Sequence, residues 1–332
     1  MRVKVIAVAM VLLASMSAPR AEISEITIAQ QFGVAFLPLM LMERDSLIEK
    51  HAKAAGIEVK TNWQKVAGPS VINDGLLSGN VHFGAVGAPS LITLWSRTKS
   101  NAGVKGVAAM TSYPLYFVTR NPDLKSLKEL SSKDKIAIPS VKISTQAIML
   151  QMAAADLFGQ PNYQKFDEFT VSLSHPDAMV ALMNNTSGVN AHFGTSPFYE
   201  QEMKFPGARL LTTSYDILGG RASALVVVTT SKFHEANPKI YKAFLAAEKE
   251  AIDAINTDKR KAAQAYLDIA NDRKNTVDDI FAVINDKDYA FTLSPEKVFK
   301  TAVFMGKVGT VRDPPAKWQD LFFPDIHDLP GD

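Results

Sequence analysis

Residues 79–92 read GNVHFGAVGAPSLI and residues 188–199 read GVNAHFGTSPFY. Each has a small polar turn, an apolar strand ending in His-Phe-Gly, a small-residue loop, a proline and then a helical pattern. The tripeptide alone is short enough to recur by chance. What carries weight is the matched context on both sides of it. Two strand–loop–helix units about a hundred residues apart predict two lobes of similar build. In open α/β lobes, ligands sit where loops leave the carboxyl ends of strands, so two such lobes facing each other make a clamp.

Working outward, strands and helices alternate. Strands are expected at 26–32, 57–63, 81–86 and 105–110, and helices over 37–55 and 70–77. This alternation predicts a largely parallel, doubly wound sheet. After Tyr113-Pro114 come strands in LYFVTR and at 135–139, a helix opened by Ser144 and closed by Gly159, a strand at 166–173, a helix at 177–183, the second HFG strand and a strand at 209–212. Past Gly219-Gly220, ASALVVVTT reads as a long apolar strand. Helices are then expected at 238–256, 258–270, 276–284 and 294–308. The chain thus leaves a first lobe (22–113), builds a second (114–221) and returns (222–332), its two crossings forming a hinge.

The N-terminus, MRVKVIAVAMVLLASMSAPRA, has a basic start, an apolar run and small residues. That order reads as a secretory signal peptide over 1–21, cleaved after Ser17 or Ala21, and too short for a stable membrane span. The chain has no cysteine, which excludes thiol catalysis, disulfides, cysteine metal sites and a lipid-anchored N-terminal cysteine. Removing 1–21 takes away Arg2, Lys4 and Arg20 and no acid. The 36 basic residues become 33 against 34 acidic ones, a formal charge of −1. The basic residues are scattered, so no nucleic-acid footprint is present.

No pair among the six histidines has the spacing of a metal-binding helix. His82 and His192 recur in the repeated phrase and are read as core or hinge-side histidines bonded to backbone, with a pair near the cleft as the alternative. There is no nucleophile elbow, phosphate loop or dinucleotide fingerprint, and no metal or cofactor is expected. The loops say more. Gly68-Pro69-Ser70, Gly87-Ala88-Pro89-Ser90, Ser140 to Thr145, and Gly194-Thr195-Ser196-Pro197 each precede a predicted helix. Small residues let backbone N–H groups approach a ligand, and a first helical turn offers unpaired donors at the positive end of the dipole. Each loop alone reads as well as an ordinary cap, but four at equivalent points suit a small oxyanion. The expected ligand contacts are Gln30, Gln31, Gly68, Pro69, Gly87, Ala88, Tyr113, Ser140, Ser144, Thr145, Gly194, Thr195 and Ser196. Phe32, Phe36, Tyr113 and Phe198 are candidate walls, Phe36 also continuing an apolar helix face.

Three stretches carry a resemblance: WQKVAGPSVINDGLLSGNVHFGAVGAPSLI (63–92), LKSLKELSSKDKIAIPSVKISTQAIMLQMAAADLFG (124–159) and HPDAMVALMNNTSGVNAHFGTSPFYE (175–200). In order and spacing the chain resembles the aliphatic-sulfonate and taurine binding proteins of bacterial ABC importers, within the wider nitrate/sulfonate/taurine, NMT1-like group. The resemblance implies a two-lobed, type II-like periplasmic binding fold, each lobe a doubly wound, mostly parallel sheet with helices on both faces. It implies a monomeric, non-enzymatic periplasmic protein, not lipid-anchored, that hands a small organic anion such as a sulfonate to an inner-membrane permease with its cytoplasmic ATPase. Departures from that family are His82 and Ala88 where acids are common, Ile143 where a glycine precedes paired serines, and Gly194-Thr195-Ser196-Pro197 where an aromatic-Asp-Pro is common. Two alternatives stay open: an enzyme on the same fold, such as a pyrimidine-precursor synthase, and an exported ligand sensor.

Overall fold

A computed structural model describes residues 21–184 and 186–332. The signal peptide read at 1–21 therefore lies, but for Ala21, outside the described residues. No helix among the described residues is long and apolar enough to cross a membrane.

The chain runs β1 (Glu25–Gln30), α1 (Leu37–Arg44), α2 (Leu47–Ala54), β2 (Lys60–Lys65), α3 (Pro69–Ser78), β3 (Phe83–Val86), α4 (Ala88–Thr98) and β4 (Val104–Ser112). Then come β5 (Tyr116–Thr119), β6 (Ile136–Ile138), α5 (Thr145–Phe158), β7 (Thr170–Ser172), α6 (His175–Asn184), β8 (Ala191–Gly194), α7 (Phe198–Met203), β9 (Arg209–Thr213) and α8 (Ser214–Leu218). The remainder is β10 (Ser223–Thr230), α9 (Ser231–Ala236), α10 (Pro238–Thr257), α11 (Lys259–Ala270), α12 (Val277–Asn285), β11 (Ala290–Phe291) and α13 (Val298–Lys307).

The strands form two sheets, ordered β11-β4-β10-β3-β1-β2 and β7-β6-β8-β5-β9. In the first, β3, β1 and β2 pair in parallel while β10 pairs antiparallel to both β3 and β4. In the second, β8, β6 and β7 pair in parallel while β5 pairs antiparallel to both β8 and β9. The two halves are thus wired alike, and each copy of His-Phe-Gly falls at the same place. Phe83-Gly84 of β3 lies between a parallel and an antiparallel neighbour, as does Phe193-Gly194 of β8. The strand of each sheet entered by crossing from the other half, β5 or β10, runs against both its neighbours, and in the first sheet β11 also runs against β4. The chain passes between sheets at Tyr113–Leu115 and returns between Thr213 and Ser223.

Core positions follow the pattern of buried strands. β10 reads SALVVVTT and is buried along all but its last residue, as expected for a strand covered on both faces. Over the same sheet lies α10, whose Ile240, Phe244 and Ala251 have no exposure, with Phe244 stacked on Phe83 of β3 at 4.0 Å between ring centroids.

The expected boundaries shift at a few points. The single helix read over 37–55 is two, because Ser46 turns left-handed at φ 50°. Of the strand expected at 166–173 only Thr170–Ser172 pairs. Asp167–Phe169 makes a 3-10 turn instead, with the Gln151 amide donating to both Asp167 carboxylate oxygens at 3.0 Å. The last helix begins at Val298 rather than 294, after a left-handed Lys297.

Candidate functional site

Three helix starts meet where the two sheets face each other. α3 and α4 begin with glycine at the N-cap and proline in the first turn, and neither has a side-chain cap. Proline suits this position because its missing N–H would go unpaired anyway. The glycines are needed for a different reason. A Cβ on Gly68 would strike the Pro139 carbonyl and lie 2.7 Å from Ser140 Oγ. A Cβ on Gly87 would strike the Thr145 hydroxyl. From the second half, α5 starts at Ser144, whose Oγ accepts from Ala147 N at 3.3 Å.

Between these starts lies a cavity of about 30 Å³, room for roughly two waters. Of the expected contacts, Gln31, Pro69, Gly87, Tyr113, Ser144 and Thr145 line it. Phe36 lines it too while belonging to the core. Among the described residues no Lys, Arg, Asp or Glu does. Burial pushes the Tyr113 phenol up to about 12, with the Thr195 hydroxyl partly offsetting it, so the ring stays neutral.

The other expected contacts lie elsewhere. Gly68, Ala88 and Ser140 are not among the lining residues. Gly68 and Ser140 sit behind the cavity, where Ser140 Oγ meets Ser70 Oγ across the halves at 3.1 Å. Ala88 is buried in the first turn of α4. Gln30 turns away and donates to Glu43 at 3.3 Å. The loop Gly194-Thr195-Ser196 does not reach the cavity, because it is occupied against the first half. The Ser196 carbonyl accepts from Val34 N at 3.1 Å, beside Gly33, whose φ of +123° favours glycine. Thr195 is buried.

Beside Leu115, Pro139, Ala224 and Leu225, two polar residues that the sequence reading passed over join the lining, Gln146 and His175. His175 opens α6, and its Nε2 lies 3.4 Å from Gln146 Nε2. Behind it, His175 Nδ1 is 2.9 Å from His192 Nε2, and His192 Nδ1 is 2.5 Å from Glu202 Oε1. Burial, and then the neighbouring His192, hold the His175 imidazole well below its usual range. The reading of His192 as a histidine bonded to backbone is therefore corrected, since its partners are side chains. His82 does bond backbone: its Nδ1 accepts from Thr27 N at 2.9 Å. Both flanking elements of His175 were legible; the pairing of a helix start with the second HFG strand was not.

Outside Gln31 a second hollow of about 330 Å³ opens between the halves, walled by Phe32, Phe198 and Met179 and carrying Lys65, Lys274 and Asp272. Its size is that of an ordinary small-molecule site.

The family profile described as NMT1/THI5-like matches residues 53–262. The chain belongs to this NMT1/THI5-like family. Solved structures share the family member's fold over most of its length. The periplasmic aliphatic sulphonate binding protein SsuA from Escherichia coli is 16% identical with a TM-score of 0.64, covering 91% of this chain and 92% of its own. The ligand binding component of an ABC-type import system from Staphylococcus aureus, with zinc bound, is 16% identical with a TM-score of 0.67, covering 92% and 98%. The periplasmic nitrate-binding protein NrtA from Synechocystis PCC 6803 is 15% identical with a TM-score of 0.59, covering 78% and 69%. No curated protein sequence matches significantly. The NMT1/THI5-like chain thus has the mixed α/β fold of periplasmic binding proteins of ABC import systems.

Proposed function

We propose that this NMT1/THI5-like protein is the periplasmic solute-binding component of an ABC importer. It would capture a small organic anion, sulfonate- or taurine-like, between two lobes and deliver it to an inner-membrane permease. The observation that carries this reading is the convergence of the α3, α4 and α5 starts on one cavity lined, among the described residues, by no formal charge. Helix N-termini bind anions without a paired cation. Micromolar capture requires about −8 kcal/mol, and a handful of hydrogen bonds to a charged group at roughly 1.5–3 kcal/mol each supplies it.

A cavity of about 30 Å³ is too small for an alkanesulfonate. On this reading the oxyanion seats at the helix starts, the organic tail lies towards the outer hollow, and the halves part to admit it. Residues 22–113 with 222–332 would form one lobe and 114–221 the other, opening about the two connections. A ligand shifts such an equilibrium only through contacts that differ between the two states, and groups from both halves line the cavity.

Calorimetric titration of the purified protein with methanesulfonate, taurine and nitrate tests the reading. Saturable binding of at least one supports it; binding of none, with the protein folded, rejects it. Export is tested by the N-terminal mass of protein recovered from the periplasm, expected to begin after Ser17 or Ala21.

One observation favours a second reading, an enzyme on the same fold. The Glu202–His192–His175 chain ends at the cavity in an imidazole with a depressed proton affinity, as a general base would. Turnover of a bound compound, lost in His175→Ala, would establish it.

A further inference from the structure

We propose that the cavity takes its anion together with one proton, held by the Glu202–His192–His175 chain. This rests on the anion-binding reading above and specifies how that site is charged. All three residues belong to the second half: Glu202 on α7, His192 on β8 and His175 at the start of α6. Neither Glu202 nor His192 is exposed at all, and His175 is 6% exposed.

The hydrogen bond between His175 Nδ1 and His192 Nε2 can point only one way at a time, and the number of protons on the chain decides which. With two protons, His192 Nδ1–H donates to the Glu202 carboxylate and His175 Nδ1–H donates to His192 Nε2. His175 Nε2 then turns a lone pair to the cavity. The Gln146 amide nitrogen, placed 3.4 Å away, suits this form as a donor. The chain carries a net negative charge in full burial, which is costly. A third proton, taken from solvent, reverses the bond between the two histidines. His192 Nε2–H now donates to His175 Nδ1, and His175 Nε2–H faces the cavity as a donor. The result is the same whether the proton rests on Glu202 or makes His192 an imidazolium, so the step belongs to the chain as a unit. The chain is then neutral overall, and a bound anion favours it on both counts, charge and direction.

Other ionisable groups surround the chain. α7 adds Tyr199 and Glu200, the latter bonded to Ser196 at 2.7 Å and repelled by Glu202. β5 adds Tyr116, stacked on Tyr199, and just beyond β5 Arg120 donates to the Leu182 and Met183 carbonyls. α6 adds Asp177, which accepts from Ser174 at 2.5 Å. β6 (Ile136–Ile138) adds none. Tyr113 lies at the cavity, and Lys65, Lys274 and Asp272 lie at the outer hollow. Among the described residues none of these bonds to the three members, so none replaces the proton.

The test has two arms on the purified, unmodified protein. Nitrogen-15 NMR of the histidine rings, followed between about pH 5 and 9, should show His175 Nε2 gaining its proton in one step shared with His192. Calorimetry with methanesulfonate and with nitrate, in buffers of different protonation heat, should show uptake of about one proton above that step. Affinity should weaken about tenfold per pH unit there. Glu202→Gln should abolish the uptake and flatten the pH dependence while binding persists at low pH. Independent titration of the two rings, unchanged tautomers throughout, or anion binding with no proton uptake overturns this proposal alone. Failure of both anions to bind at any pH rejects the anion reading itself, and this proposal with it.

Discussion

Gly87 and Thr145 meet across the cavity so closely that a Cβ on Gly87 would overlap the Thr145 hydroxyl. One opens α4 in the first half and the other opens α5 in the second. Their contact is therefore a gauge of how far the halves approach. Gly68 against Pro139 and Ser140 is a second contact of the same kind.

Gly87→Ala should hold the halves apart without disturbing either. The backbone at Gly87, φ −72° and ψ 155°, is open to alanine, so no strain arises within α4. The added methyl meets Thr145 only on approach. Overpacking of this kind costs about 1–3 kcal/mol, or roughly five- to 150-fold in affinity. Titration calorimetry should read that loss, with the ligand-free melting temperature little changed.

Ser144 and Thr145 should separate stability from binding. Ser144→Ala removes an N-cap acceptor, which costs about 1 kcal/mol and lowers the melting temperature. Thr145→Val keeps the shape and removes a hydroxyl at the cavity, and a hydrogen bond to the anion lost there weakens binding about ten- to a hundredfold. If the double variant Ser144→Ala/Thr145→Ala binds its anion as well as the parent, the proposed site is wrong.

Phe322 should anchor the C-terminal segment to the first sheet. Its ring has no exposure and covers Gly106, whose Cβ would collide with it, while Phe323 N donates to the Gly106 carbonyl at 2.9 Å. Phe322→Ala should destabilise by about 3–5 kcal/mol, measured by urea unfolding.

Local chemistry made much of this legible in advance. Proline after glycine at 68–69 and 87–89, and Ser144 before an apolar helix, mark helix starts from three or four residues. The long apolar run of β10 marks a strand buried on both faces. The repeated His-Phe-Gly marked equivalent strands because the same neighbours impose the same small and apolar residues on each. What stayed hidden depends on approach between distant segments. His175 reads as an ordinary residue before Pro176 until α6 is set beside β8, nearly twenty residues on. The loop 194–197 has the composition of a binding loop, yet it is held by Gly33 and Val34, about 160 residues earlier. Gln30 and Gln31 are adjacent, and strand alternation sends one to Glu43 and the other to the cavity.

Glu248 should make the protein less stable as the solution leaves the acid range. It lies on α10 with no exposure, and neither carboxylate oxygen has a hydrogen-bond partner among the described residues. Burial alone raises its proton affinity well above the ordinary carboxyl range, so the folded protein holds this proton where the unfolded chain has released it. Between the unfolded value near 4.5 and the raised folded one, the folded state binds more protons, and stability from this group falls with rising pH. It is fully present below the unfolded value and is lost progressively above it. Glu248→Leu, similar in size and without the proton, should raise the melting temperature at neutral pH and remove that slope. Glu248→Gln should also remove the slope but leave a buried amide unpaired, and so gain less. Thermal unfolding of the three proteins across about pH 4 to 8 decides it; parallel curves would mean that Glu248 is ionised and paired in solution.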